Sequence, residues 1–171
     1  MLTEQEKQFL LALARNVFEG KESSIDYIPN SLEEKGATFI SLYKQNALVH
    51  SIGTMIPIKE IFQDVIDNAI ILSQEMNDSK CSIEISLLRN MKIINGESEE
   101  AVLSQIIPHK HGVVVHKQKK IATLLPVVWN QIQDKREFLE QVCKKLQLDK
   151  DTWKKNAEIM IYETETFRET N

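Results

Sequence analysis

An α+β fold, two-lobed and built from antiparallel hairpins packed with helices, is what this 171-residue sequence predicts. Three observations point there. Two alternating stretches, Ala37 to Ile52 and Val113 to Leu124, are each split by a polar dipeptide, as hairpins are. Segments with helical periodicity stand between these hairpins, whereas a doubly wound parallel sheet would alternate single strands with helices. Hydrophobic residues at 42% and charged residues at 27% match ordinary globular domains, and five Gly with four Pro exclude collagen-like or low-complexity chains. The length suits one domain, with room for a larger and a smaller lobe.

Each element has its own warrant. Thr3-Glu4-Gln5-Glu6 reads as a capping box, followed by Phe9, Leu10, Leu13 and Val17 at helical spacing and ended by Gly20. Lys21 to Gly36 is a polar linker interrupted by Pro29. Ala37 to Lys44 alternates, with Ala37, Phe39 and Tyr43 on one face and Thr38, Ile40 and Leu42 on the other; Gln45-Asn46 is the turn and Ala47 to Ile52 the returning strand. Pro57 is expected in the first turn of a helix running to about Ser73, with Ile58, Ile61, Phe62, Val65, Ile66, Ala69 and Ile70 as its apolar stripe.

Asn77-Asp78-Ser79 is expected to stop that helix, and Ile83, Ile85 and Leu87 to form a half-buried strand that Met91 to Ile94 extends. Ser98 can cap a short helix to Gln105. Val113 to Lys117 and Lys120 to Leu124 form the second hairpin about Gln118-Lys119. Asp134 to Glu137 is another capping box, before Phe138, Leu139, Val142, Cys143 and Leu146 on one helical face. Glu158 to Phe167 closes the chain as a strand. The hairpin-then-helix order occurs twice, a repeat of pattern without a repeat of residues.

Composition also excludes several functions. A formal charge of −4 favours solubility and gives no general affinity for nucleic acid. Two cysteines cannot build a disulfide scaffold, so a reducing, cytoplasmic setting is expected. The acidic, polar start is no secretory signal, and the longest charge-free stretches, such as Ile121 to Gln133, carry too many polar residues to span a bilayer.

The residues also carry a family resemblance. Gly36-Ala37-Thr38-Phe39-Ile40-Ser41-Leu42 and Leu48-Val49-His50-Ser51-Ile52-Gly53-Thr54 resemble the AMMECR domain, also called AmmeMemoRadiSam system protein A. His111 to Val115, Ala122 to Gln131, Asp134 to Leu148, Asp151-Thr152-Trp153 and Ile159 to Phe167 resemble its bacterial form, so the likeness covers nearly the whole chain. It implies an α+β fold of two lobes, an unsettled activity, and a Memo-like protein and a radical SAM protein as associates. The family signature is Leu-Arg-Gly-Cys-Ile-Gly. Here Leu48, Ile52 and Gly53 match, while Val49, His50 and Ser51 replace the arginine, glycine and cysteine. The family loop with an Arg-Asp-Pro-Arg-Phe-like run is missing too, since Ser73 to Ser82 passes almost directly from helix to strand. The framework is retained and the candidate chemistry is altered.

Ser51 and His50 are therefore the catalytic candidates. A serine nucleophile needs a base in hydrogen-bond reach, however, and adjacent strand residues point to opposite faces. Ser51 reads better as a small residue in a packed strand. His109, His111 and His116 could supply zinc with imidazole, yet no cysteine or carboxylate nearby completes a set, so no metal or other cofactor is expected. Residues 101 to 133 lack Asp and Glu, and Lys117, Lys119 and Lys120 are a possible anion contact. Without interleaved aromatics or a readout motif, these lysines read as solvation of a hairpin tip. Cys143 is read as core and Cys81 as a more exposed thiol; Trp129 and Trp153 are expected to pack. The reading favours a binding or accessory module over an enzyme working with the Memo-like and radical SAM proteins.

Overall fold

The computed structural model describes residues 1–21, 27–76, 78–155 and 157–170. In chain order its helices and strands are α1 Glu4–Phe18, β1 Lys35–Gly36, β2 Thr38–Lys44, β3 Ala47–Gly53, β4 Lys59–Glu60, α2 Ile61–Glu75, β5 Ser82–Ile94, α3 Glu99–Ser104, β6 Gly112–Lys117, β7 Lys120–Leu124, α4 Lys135–Lys145 and β8 Glu158–Arg168. The chain forms two compact units, Met1–Leu88 with Glu165–Asn171, and Arg89–Thr164. Residues 22–26 of the expected linker and Asn77 of the expected helix stop lie outside the described residues.

In the first unit, α1 starts on the expected capping box: Thr3 accepts from the Glu6 N–H, and the Glu6 carboxylate accepts from the Thr3 N–H at 2.6 Å. Strands β3, β2 and β5 run antiparallel, with the end of β8 next to β5. The β2–β3 turn places both Gln45 and Asn46 at positive φ, 50° and 64°, as a two-residue hairpin turn requires. Ile40 and Leu42 of β2, with Ile83, Ile85 and Leu87 of β5, pack against Leu10, Ala14 and Phe18 of α1 and Val65, Ala69 and Leu72 of α2. The opposite face of β5 is also covered, with Ser82 and Ser86 buried, so this strand is more enclosed than the expected half-buried one.

Two expectations about the long helix are corrected. Pro57 is not in its first turn: Lys35–Gly36 pair with Lys59–Glu60 as a short antiparallel ladder, and the Ile61 N–H donates to the Glu34 carbonyl. That pairing keeps the chain extended until Ile61. The buried stripe is also turned from the expected one. Ile61, Val65, Ala69 and Leu72 are inside together with Asp64 and Asn68, whereas Ile58 and Ile70 are exposed. Polar partners on β2 hold Asp64 and Asn68 inward, which turns Ile70 towards solvent.

In the second unit, β7, β6 and β8 are antiparallel neighbours, and α4 packs on the β6–β7 hairpin. Ser98 caps α3 by accepting from the Ala101 N–H, and Asp134 caps α4 by accepting from the Glu137 N–H at 2.9 Å. Its core joins Val113, Val115 and Ile161 to Phe138, Leu139, Val142 and Cys143, with Trp129 stacked on Phe138 at a 3.8 Å centroid distance. Each unit thus places a helix on a hairpin. No helix among the described residues is long and apolar enough to cross a membrane.

Candidate functional site

The signature segment Leu48 to Gly53 lies on β3, whose one ladder among the described residues is with β2. Its register shifts between Leu42 and Tyr43: Leu42 faces His50 and Tyr43 faces Leu48, leaving Val49 as the extra residue of a bulge. Gly53 is fixed by close approach. A Cβ there would lie 2.4 Å from the Thr38 carbonyl oxygen and 2.7 Å from Phe39 Cα, so the signature glycine is structural.

His50 and Ser51 point to opposite faces. His50 is opposite Leu42 on the helix side, where its Nε2 lies 2.6 Å from Glu75 Oε2 at the end of α2. Ser51 is opposite Ser41 on the other side, and the two hydroxyl oxygens are 2.9 Å apart. Neither hydroxyl has a base as its hydrogen-bond partner among the described residues, so no activated nucleophile is assembled. Leu48 and Val49 are exposed, at 53% and 41%, and Ile52 packs on the core.

The face that carries Ser51 holds charge that the sequence reading missed. Ser41 is opposite Glu84 of β5, and Arg168 of β8 donates to Glu84 Oε2 from Nε at 2.9 Å and from Nη2 at 2.7 Å. The same guanidinium lies 3.5 Å above the centre of the Tyr43 ring. Burial, and after it the Glu84 carboxylate, pushes the Tyr43 phenol up. On the helix side, a second polar group surrounds Asp64, which is bonded to Thr38, Thr54 and Asn68. The pair Asp64 and Asn68, one helical turn apart inside an apolar stripe, was the sequence signal for it.

The remaining candidates separate. His111 is buried and its Nδ1 accepts from the Ile107 N–H at 3.1 Å, while its carbonyl accepts from the Trp129 indole at 2.6 Å. Burial, with the Lys110 charge second, holds the His111 imidazole below its ordinary range. His109 is exposed, and His116 bonds the Gln118 carbonyl and Glu158. No three His, Cys, Asp or Glu side chains among the described residues gather as metal ligands. Lys117 donates to the Lys155 carbonyl and Lys120 to the Leu146 carbonyl at the end of α4, while Lys119 is exposed. A cation at the C-terminal end of a helix is favoured by the helix dipole. Cys81, expected to be the more exposed thiol, is 2% exposed, because the chain enters β5 beneath Arg15 and the core.

Fold and site together define an α+β protein in which hairpins carry packed helices and one edge strand carries the signature. The chain belongs to the AMMECR1 family, whose model matches residues 11–167. It is 28% identical to protein MK0488 of Methanopyrus kandleri, over 98% of this chain and 90% of that one. It is 29% identical to protein Mbar_A1807 of Methanosarcina barkeri, over 99% and 93% respectively. The crystal structure of the uncharacterized protein PH0010 from Pyrococcus horikoshii is similar with a TM-score of 0.85 and 28% identity, covering 98% of this chain and 93% of that chain.

Proposed function

We propose that this chain is a binding or accessory module of the AMMECR1 family and carries out no covalent chemistry at its signature strand. The observation that supports it is the separation of the two candidates: Ser51 is bonded to Ser41 on one face, and His50 to Glu75 on the other. With Val49 at the arginine position, the strand offers no bidentate anion clamp. It offers instead the exposed Leu48 and Val49 on an edge strand open to a protein partner. The family resemblance nominates a Memo-like protein and a radical SAM protein for that part.

A second reading, in which the chain is an enzyme or a substrate-binding component with those two proteins, draws on Glu84, Arg168 and Tyr43 sharing the face of Ser51. Calorimetric titration with each candidate partner tests both. Binding that survives Ser51→Ala and His50→Ala and is lost in Leu48→Glu supports the module. A product formed by the mixed proteins that disappears in Ser51→Ala favours the enzyme.

A further inference from the structure

Three segments of the second unit converge on one lysine cluster. In the β6–β7 hairpin, Lys117 stands directly opposite Lys120, with Gln118 and Lys119 as the turn. Lys117 Nζ donates to the Lys155 carbonyl at 2.9 Å, and Lys120 Nζ to the Leu146 carbonyl at 3.1 Å, just past α4. From the last turn of α4, Lys145 Nζ donates to the Thr123 carbonyl of β7 at 3.2 Å. These bonds tie the hairpin tip to the end of α4 and to Lys155.

The cluster is short of negative charge. Like charges directly opposite each other on a hairpin repel, and Lys117 and Lys120 are such a pair. Their acceptors are carbonyls, which carry partial charge only. Among the described residues no carboxylate pairs with Lys119, Lys120, Lys145 or Lys155, whereas neighbouring Lys154 has both Glu99 and Asp151. An ammonium carries three donors and one carbonyl takes one, so Lys120 and Lys145, both exposed, keep N–H groups for a ligand. Lys and Arg outnumber Asp and Glu in this unit, although the whole chain stands at −4. Ammonium groups already pinned on carbonyls also lose less freedom when an anion binds.

The surroundings select among anions. Trp129, Phe138, Trp153 and Tyr162, the aromatic residues of this unit, are all buried, so none offers a base a stacking platform. The cluster holds lysine and no arginine, hence no planar fork for phosphate. The helix end beside it is a C-terminus, without the N–H groups that cradle phosphate. Carboxylates stand around it, Glu158 beside His116 and Asp151 on Lys154. A long polyanion running past the lysines meets that acidic margin, and a short one does not.

We infer that this end of the second unit is a docking surface for a short acidic segment of a partner protein. Its carboxylates take the remaining N–H donors of Lys119, Lys120, Lys145 and Lys155 and relieve the repulsion within the hairpin. The signature strand belongs to the other unit and takes no part in it.

The test is a titration of the ¹⁵N-labelled full chain with acetylated, amidated hexaglutamate as the probe. The amide signals of Lys119, Lys120 and Lys145 should shift saturably with a Kd of about 0.1–1 mM at low salt. Raising the salt from about 20 to about 150 mM should weaken binding at least about five-fold. Lys119→Glu, at an exposed turn position, should weaken it by a similar factor with the rest of the spectrum intact. Lys80→Glu makes the same change of net charge in the other unit and should stay within about two-fold. Oligothymidylate of matched charge should bind at least about three-fold more weakly. No saturable shift at about 5 mM peptide, shifts confined to the first unit, or equal loss in the two variants would each overturn the assignment. Oligothymidylate binding as tightly as the peptide would overturn it in favour of nucleic acid.

Discussion

Asp64 holds Thr38 twice with a single oxygen: Oδ2 accepts from the Thr38 N–H at 2.8 Å and from its hydroxyl at 2.7 Å. Oδ1 accepts from the Thr54 hydroxyl, and Asn68 Nδ2 donates to Asp64 Oδ2 and to the Thr38 carbonyl. Both Asp64 and Asn68 are buried, so the group links α2 to β2 and to the residue that follows the signature glycine. Asp64→Ala leaves buried donors unpaired and should cost about 2–4 kcal/mol in urea unfolding, with Thr54→Val costing about 1 kcal/mol. A loss below about 0.5 kcal/mol for Asp64→Ala would show that the group contributes nothing to stability.

The turned stripe of α2 separates two substitutions that periodicity alone would rank together. Leu72, fully buried, should lose about 2–5 kcal/mol on truncation to Ala. Ile58→Ser, at a position 65% exposed, should stay within about 0.5 kcal/mol. Equal losses in thermal or denaturant unfolding would show that Ile58 is covered in solution.

Stability should fall below neutral pH through His111. Its folded-state pKa lies under the ordinary 6.5, so as pH drops the unfolded chain takes up the proton first. More protons on the unfolded state means stability that rises with pH, is fully present above about 6.5 and is lost beneath it. His111→Asn keeps an acceptor for the Ile107 N–H and removes the titration. Denaturation midpoints at several pH values between about 7 and 5 should fall more steeply for the parent chain than for the variant. Identical slopes would remove His111 from the account.

Both thiols should be inert until the chain opens. Burial, then the nearby Asp78 charge, pushes the Cys81 thiol up, and burial does the same at Cys143. Little thiolate forms at neutral pH, and access is blocked. An aromatic disulfide reagent should modify two thiols promptly in denaturant and neither promptly in buffer. Prompt modification of one thiol in buffer would place it at a mobile or exposed surface.

The hairpins and caps were legible because their chemistry is local. Gln45-Asn46 and Gln118-Lys119 sit between alternating runs, and Thr3, Ser98 and Asp134 each find a backbone N–H within a turn. The inward face of α2 was not, since Asp64 and Asn68 look polar until Thr38 and Thr54 are beside them. Pro57 misled for a similar reason: the ladder with Lys35–Gly36 that delays the helix is a non-local pairing. At the candidate site, strand alternation was enough to place His50 and Ser51 on opposite faces. Their partners Glu75 and Ser41, and the neighbouring Glu84 and Arg168, come from other elements that only the fold brings together.

The far end of the chain completes the first unit. Glu169 binds Arg15 through both carboxylate oxygens and gives its own N–H to the Ile83 carbonyl, and Glu165 accepts from the Leu2 N–H at 2.8 Å. The first unit is therefore discontinuous in sequence, and its α1 is held by residues that follow the whole of the other unit. The second unit, Arg89–Thr164, is continuous in sequence. A chain cut after Thr164 would keep every residue of the second unit and would take from the first unit the partners of Leu2, Arg15 and Ile83.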